Sequence, residues 1–261
     1  MRQVCGELPF TAERAYTALM QTSVPKLVLY DFPAKTGLPG WGSFSPFVME
    51  VERALKLAKL PFAHEYVNML KLKELNPIGQ LPVLGVDAEL VPDSTRILHR
   101  IEALAPGSMT GDLSGAALAE AWLWEEFADT ALYPLPLATR WADDRGWPVP
   151  KKHFFGALPP IVRDVVGNMV RKKTIKALEG RDFLRGGLDA CYERIGRVLD
   201  HLDARAPEAG FWMGARATVA DLGLFAHLHA LRLPMTPVGV ELVARRKRLS
   251  KYLDRVDAIT S

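Results

Sequence analysis

Residues 79–84 read Gly-Gln-Leu-Pro-Val-Leu and lie at the centre of the strand pattern of this chain. Proline cannot donate a backbone hydrogen bond to a neighbouring strand, so Pro82 belongs at a strand start or at a sheet edge. The segments 82–86 and 89–91 predict two short strands, and their close spacing favours antiparallel pairing. A helix is expected over 93–104, because its apolar residues recur at helical spacing.

Upstream of this stretch, the pattern alternates between strand and helix. The apolar run 26–32 is rich in strand formers, and the segment 62–67 predicts a second strand. Between them, residues 45–60 predict an amphipathic helix. A strand, a helix and a strand in succession favour a parallel, right-handed unit. Together with a short helix at 70–75, these elements predict a small mixed sheet covered by helices.

The rest of the chain is predicted to be helical. We expect an N-terminal extension over 1–25, an α/β domain over 26–106, a glycine-rich linker over 107–115 and an all-helical domain over 116–261. Helical spacing of apolar residues predicts the following helices outside the α/β domain: 11–22, 116–132, 161–178, 188–202, 219–231 and 241–256. The segment 219–231 is almost wholly apolar, which predicts a central buried helix.

Composition narrows the classes of function. Hydrophobic residues make up 49% of the chain, which is ordinary for a globular protein, and the net charge of +3 is too small to indicate nucleic acid binding. A membrane-bound protein is not expected, because no apolar run reaches the length of a bilayer span. The N-terminus lacks a secretory signal pattern, and Cys5 and Cys191 cannot form a disulfide framework. A reducing, cytoplasmic compartment is therefore expected.

Ser45-Pro46-Phe47 stands at the head of the first predicted helix. Serine is a favoured N-cap and proline a favoured first helical residue, so the motif is consistent with a simple helix start. The same geometry also has a possible chemical role. A helix N-terminus carries partial positive charge, and a hydroxyl there can donate to a thiolate and lower its pKa. Spacing alone leaves both interpretations open.

Three further motifs carry weaker signals. Asp93-Ser94 opens the third helix and by itself favours an ordinary cap, although Ser94 could donate to a ligand carboxylate while Asp93 accepts from an ammonium group. Pro82 could follow a cis bond that exposes the Leu81 backbone to a peptide-like ligand, or could simply begin a strand. Thr218-Val-Ala-Asp221 predicts a capping box of structural importance only.

These motifs, in this order, resemble the cytosolic glutathione S-transferase superfamily over residues 26–106 and 116–235. The implied fold is a thioredoxin-like N-terminal domain of order βαβαββα, followed by an all-helical C-terminal bundle. The helix start at Ser45 and the extended middle of the chain also resemble the metaxin and failed-axon-connections branch. The stretches that carry this second resemblance are 140–147, 158–163 and 180–186.

The superfamily resemblance implies an enzyme that joins the thiolate of glutathione, a co-substrate, to a small apolar electrophile, for example in detoxification. It implies that Ser45 stabilises this thiolate, with Tyr30 as the alternative. A homodimer is also implied. Two other functions stay open, namely a non-catalytic binding or assembly module of the metaxin kind and a carrier of apolar ligands.

The same resemblance implies a binding role for particular residues. Leu81 and a cis Pro82 would hold the cysteinyl backbone of glutathione, Asp93 and Ser94 its γ-glutamyl end, and Gln80 its glycyl side. The electrophile would lie between the domains, against aromatic side chains whose candidates are Trp41, Trp122, Phe127, Tyr133 and Trp141. The six histidines lack the spacing of metal ligands, so no metal is expected.

Overall fold

The computed structural model describes residues 25–33 and 42–261. Its N-terminal part contains a mixed, four-stranded sheet of order β2-β1-β3-β4. The strands are β1 (Leu27–Asp31), β2 (Phe62–Tyr66), β3 (Val83–Val86) and β4 (Glu89–Pro92). β1 and β2 are parallel, whereas β3 pairs antiparallel with both β1 and β4. The predicted mixed sheet is confirmed, while the helix expected over 11–22, Cys5 and Trp41 lie outside the described residues.

Helices make up the remaining regular structure. In the α/β part they are α1 (Pro46–Leu57), α2 (Leu72–Leu75) and α3 (Ser94–Leu104). The C-terminal part contains α4 (Gly115–Phe127), α5 (Pro134–Leu137), α6 (Pro148–Phe155), α7 (Pro160–Gly180), α8 (Gly187–Arg205), α9 (Val219–His229), α10 (Pro237–Ala244) and α11 (Lys247–Thr260). Two π-helical segments, Ala128–Leu132 and Ala138–Ala142, continue α4 and α5. Among the described residues, no helix is long and apolar enough to cross a membrane.

The proline-rich middle of the chain is more helical than its composition indicates. Pro134, Pro148 and Pro160 are the first residues of α5, α6 and α7. Proline is tolerated there, because the first residues of a helix have no intrahelical partner for their N–H groups. The prolines therefore start helices in this region as well as separating them.

The single helix predicted over 241–256 is wrong, because the chain breaks between α10 and α11. Arg246 lies at the break with a non-helical backbone, φ −95° and ψ 88°. Its guanidinium donates to the Gly196 carbonyl at 3.1 Å and to Asp200 Oδ1 at 3.0 Å, both on α8. Apolar spacing continues across the break, so only these contacts with α8 reveal it.

The prediction of a central buried helix at 219–231 is confirmed by α9, of which every residue is buried. The predicted capping box is also confirmed, with Thr218 as the N-cap and Asp221 as its partner. A short 3₁₀ turn over Ala230–Arg232 ends the segment.

Helix α1 is buried on both sides, which the sequence did not predict. It packs against α3 of the α/β part and against α9 and α11 of the C-terminal part. As a result, Glu50 and Arg53 are buried together with the apolar residues of the helix. The Arg53 guanidinium forms an ion pair with Asp257 at 2.8 Å, which joins α1 to the last helix of the chain. This double packing brings the start of α1 to the boundary between the two parts.

Candidate functional site

A cavity of about 960 Å³ lies at the start of α1, between the α/β part and the helical part. Aromatic side chains form much of its wall, namely those of Phe32, Phe44, Phe47, Tyr133, Trp141, Phe154, Phe155 and Phe183. Large, mostly apolar clefts with a few polar groups are the usual form of small-molecule sites. This cavity is therefore the candidate functional site.

Ser45 lies in the wall of the cavity and is the N-cap of α1. Its Oγ accepts the Val48 N–H at 3.4 Å, which leaves the hydroxyl proton available for another acceptor. Pro46 follows at the first helical position. The local sequence thus produces the capped helix start that was predicted, and tertiary packing turns it towards the cavity.

A chain of hydrogen bonds holds the backbone of Ser45 against the end of β1. Ser45 N–H donates to Ser43 Oγ at 3.0 Å, and the Ser43 hydroxyl donates to Asp31 Oδ1 at 2.9 Å. Asp31 is fully buried and also accepts the Phe32 N–H at 2.6 Å. The position of Ser45 therefore depends on a buried carboxylate fourteen residues earlier in the chain.

Arg140 holds the same segment from the helical side. Its guanidinium donates to the Phe44 carbonyl at 2.8 Å and to the Ala230 carbonyl at 2.9 Å. Burial lowers the pKa of Arg140 to about 10, so the side chain is still a cation at neutral pH. Arg140 also lines the cavity, together with Arg181 and Arg194. No sequence motif indicated that any of these three arginines belongs to the site.

Asp31, whose carboxylate supports Ser45, also forms a hydrogen bond with His64. Asp31 Oδ2 lies 3.1 Å from His64 Nε2, and this hydrogen bond raises the pKa of His64. We expect the substitution Asp31→Asn to lower the pKa of His64 in a ¹H–¹⁵N NMR titration. The matched control is Glu65→Gln, which removes an exposed carboxylate next to His64 on β2 and should leave the pKa of His64 unchanged.

The raised pKa of His64 makes the stability of the fold depend on pH. The pKa of His64 is raised in the folded state, so the protonated pair stabilises the fold fully below the unfolded pKa of about 6.5. This contribution is lost as pH rises through the folded pKa. An unchanged His64 pKa in Asp31→Asn would show that the carboxylate does not hold the imidazole.

The predicted glutathione-binding residues are not all brought together. Gln80 and Leu81 line the cavity, and the Leu81–Pro82 peptide bond is cis, as the resemblance implied. Asp93 is exposed at the N-cap of α3, where it accepts the Arg96 N–H at 3.1 Å. Ser94 is buried and donates to Asp129 Oδ2 at 3.4 Å. Asp129 lines the cavity, whereas Asp93 and Ser94 are not among its described lining residues.

The other candidates from the sequence lie in different places. Tyr133 and Trp141 line the cavity. Trp122 instead stacks on His99 with ring centroids 4.0 Å apart. Phe127 lines a second cavity of about 570 Å³ beside α8. Tyr30 is half-buried on β1, opposite Val83 of β3, and is not among the residues that line the main cavity.

A cluster of carboxyl groups from Glu50, Glu125 and Asp129 adjoins the cavity, and Asp129 lines the cavity wall. Burial and the charge of Asp129 raise the pKa of Glu50 well above its usual range. Burial and the charge of Glu125 raise the pKa of Asp129 to about 8, and burial raises that of Glu125 to about 7. The cluster could not be predicted from the sequence, because Glu50 comes from α1 whereas Glu125 and Asp129 come from α4 and its π-helical continuation.

Comparison with protein families assigns both parts of the chain to one superfamily. The family model "Glutathione S-transferase N-terminal domain" matches residues 46–146. The family model "Glutathione S-transferase, C-terminal domain" matches residues 185–255. A search of curated proteins found no significant match.

Solved structures of similar fold include several transferases. The apo form of glutathione S-transferase III has a TM-score of 0.59 and 22% identity, covering 88% of this chain and 91% of that one. A glutathione transferase family member from Pseudomonas fluorescens, solved with two glutathione bound, has a TM-score of 0.58 and 15% identity, with 92% and 91% covered. A beta-etherase from a Sphingobium species has a TM-score of 0.51 and 19% identity, with 88% and 99% covered. At these identities, the similarity concerns the fold.

Proposed function

The chain belongs to the glutathione S-transferase family, and from this premise we propose that it binds glutathione in the main cavity and transfers the thiolate to an apolar electrophile. The observation that carries the proposal is the position of Ser45. Its hydroxyl caps α1 and lies in the cavity wall, in the same cavity as Gln80 and Leu81.

The chemistry required of Ser45 is stabilisation of an anion. A free thiol has a pKa near 8.5, so only a small fraction is ionised at neutral pH. A hydroxyl donor and the positive end of a helix both favour the thiolate, which is the nucleophilic form. The thiolate sulfur then forms a bond to the electrophilic carbon, and the leaving group departs with the electron pair. The thiol proton passes to solvent, so the reaction needs no further general base.

Charge and backbone groups would orient glutathione in the cavity. Leu81 and Pro82 would contact the cysteinyl backbone, and Gln80 would reach the glycyl end. Arg181 and Arg194 line the cavity, and their charges favour the glutathione carboxylates. A γ-glutamyl site at Asp93 and Ser94 would require the Ser94 hydroxyl to exchange Asp129 for the ligand.

The aromatic wall is suited to the second substrate. Tyr133 and Trp141 lie in the helical half of the cavity wall, and they offer large apolar surfaces. The Phe47 ring packs against Tyr133 with centroids 4.6 Å apart. An apolar electrophile that binds here would meet a thiolate held at Ser45, so that proximity would add to the rate.

The direct test is calorimetric titration of glutathione into the protein, followed by an assay with a chlorodinitrobenzene electrophile. We expect binding in the micromolar to low millimolar range and measurable conjugation.

The substitution Arg194→Ala should weaken glutathione binding about tenfold, because it removes one charge-assisted contact. The matched control is Arg197→Ala, an exposed arginine on the same helix, which should bind as the wild type does. Absence of binding at several millimolar would contradict the proposal.

A second candidate function is the binding of apolar ligands without transfer, and the aromatic lining favours it. It predicts tight binding of an apolar fluorescent dye in the cavity, with neither glutathione binding nor turnover. A non-catalytic assembly module of the metaxin kind predicts neither ligand. Homodimer formation, a role in detoxification and a cytoplasmic location are also parts of the transferase proposal.

A further inference from the structure

We propose that the chain has a metal site at the cavity wall, which binds one divalent first-row transition-metal ion such as Zn²⁺ or Mn²⁺. The site has three carboxylate ligands and one imidazole ligand, which come from Glu50, Glu125, Asp129 and His227. It adjoins the proposed glutathione site, because Asp129 lines the cavity and accepts from Ser94, but thiol transfer does not depend on it.

The three carboxyl groups converge from α1 and from the continuous α4 and π-helical segment. One oxygen from each lies within 4.8 Å of the others. Glu50 is fully buried, and within the described part of the chain neither of its side-chain oxygens has a hydrogen-bond partner. The same holds for Asp129 Oδ1. Buried carboxylates without partners are strongly unfavourable, so the cluster requires either protons or a cation.

His227 gives an independent indication of a cation. It is fully buried on α9, and its Nδ1 lies 3.0 Å from the Gly223 carbonyl. A carbonyl oxygen can only accept, so Nδ1 carries the proton and Nε2 presents a lone pair. Nε2 has no hydrogen-bond partner among the described residues, and it lies 3.6 Å from Asp129 Oδ1. An imidazole lone pair thus faces a carboxylate oxygen, and a cation between them would bind both.

The distance between His227 and Asp129 is close to the distance between two ligands of one metal ion. Bonds of 2.0–2.2 Å to a tetrahedral ion place two ligand atoms roughly 3.4 Å apart. The 3.6 Å between His227 Nε2 and Asp129 Oδ1 is near this value. The three carboxylate oxygens lie within 4.8 Å of one another, so side chains must move by as much as roughly 1.4 Å to reach this spacing. Burial lowers the pKa of His227 to about 4, so its imidazole is neutral and able to coordinate at neutral pH.

Surrounding groups orient the proposed ligands. Asp129 Oδ2 accepts from Ser94, and Glu125 Oε1 accepts from Thr95 at 2.7 Å. Such outer hydrogen bonds are a common feature of metal sites. On α9, Gly223 leaves room for the cluster, because a Cβ atom there would lie 3.0 Å from Glu50 Oε1. The Phe47 ring packs edge-on against His227 with centroids 5.1 Å apart, which limits access of water from that side.

The donor set indicates the kind of ion. Carboxylate oxygens suit Mg²⁺, Ca²⁺ and Mn²⁺, whereas imidazole suits zinc, iron and other transition metals. A mixed shell of three oxygens and one nitrogen therefore favours divalent ions of the manganese to zinc series. An ion held here would join α1 of the α/β part to α4 and α9 of the helical part, so its expected role is structural.

The test uses full-length protein treated with a chelator and then titrated with Zn²⁺ alone or Mn²⁺ alone by calorimetry. We expect one ion per chain with a Kd below about 10 µM. Glu50→Gln and His227→Gln should each weaken binding at least about tenfold. The matched controls are Glu126→Gln, an exposed carboxylate next to Glu125, and His201→Gln, an exposed histidine, and both should bind as the wild type does. No binding by the wild-type protein would overturn the proposal, as would equal binding by all variants.

A measurement on the wild type avoids dependence on variants that fail to fold. X-ray absorption at the zinc edge should report a shell of oxygen and nitrogen neighbours at about 2.0–2.2 Å with imidazole scattering. A shell without imidazole would place the ion elsewhere and contradict the proposal. Both experiments are done without glutathione, so a failure of glutathione binding would leave this result unaffected.

Discussion

Ser45→Ala is expected to lower kcat/KM for conjugation about 100-fold, the usual effect of removing one donor from a developing or bound anion. The hydroxyl is the proposed donor to the thiolate, and alanine cannot replace it. The thiol should then ionise at higher pH, so the pH at which the bound glutathione absorbs as a thiolate should rise. Steady-state kinetics and an ultraviolet thiolate titration measure the two effects.

The control for this variant must account for the lost helix cap. Removal of an N-cap serine costs about 1 kcal/mol of stability, independently of catalysis. Thr218 is the N-cap of α9 within a capping box, and it is not among the residues that line the main cavity. Thr218→Ala should therefore lose a helix cap and yet keep full activity. If Ser45→Ala also keeps wild-type turnover while remaining folded, Ser45 has no catalytic role, and Tyr30 becomes the next residue to test.

Asp221→Ala is expected to lower the free energy of unfolding by about 4 kcal/mol, because it leaves several buried donors without acceptors. Asp221 Oδ1 accepts the Trp212 N–H at 2.7 Å and the Tyr252 hydroxyl at 2.8 Å. Oδ2 accepts the Thr218 N–H at 2.8 Å and the Thr218 hydroxyl at 3.0 Å. The carboxylate thus joins the start of α9 to a preceding loop and to α11. Urea denaturation at neutral pH measures the loss.

Two variants control this result. Asp112→Ala removes an exposed carboxylate and should change the free energy of unfolding by less than about 0.5 kcal/mol. Asp221→Asn keeps one acceptor oxygen and should lie between alanine and the wild type. A loss in Asp221→Ala no larger than that in Asp112→Ala would mean that the network contributes little to stability.

Local motifs were the most predictable part of the molecule. Ser45 caps α1, and Thr218 with Asp221 forms the capping box of α9, as their spacing indicated. These features depend on residues within one helical turn, so their geometry follows from the local sequence. The cis bond before Pro82 was expected only from the family resemblance.

Contacts between distant segments were not predictable in the same way. The break at Arg246 depends on acceptors of α8 about fifty positions away, and apolar spacing carries no information about them. Arg140 is ninety-six positions from Phe44, yet it holds the segment that precedes the proposed catalytic serine. The hydrogen bond of Ser94 to Asp129 joins residues thirty-five positions apart, and the helix-cap motif at Asp93-Ser94 did not predict it.

The amino-acid sequence was sufficient to predict the order of strands and helices in the α/β part, the caps of α1 and α9, and the burial of α9. It did so because these properties arise from neighbours within a few residues and from periodic apolar spacing. The burial of α1 on both sides depends on tertiary packing, as does the cluster of Glu50, Glu125 and Asp129 with His227 beside Asp129. Packing of the two parts against each other creates these contacts, since it buries polar side chains on a helix face that its own sequence leaves open to water.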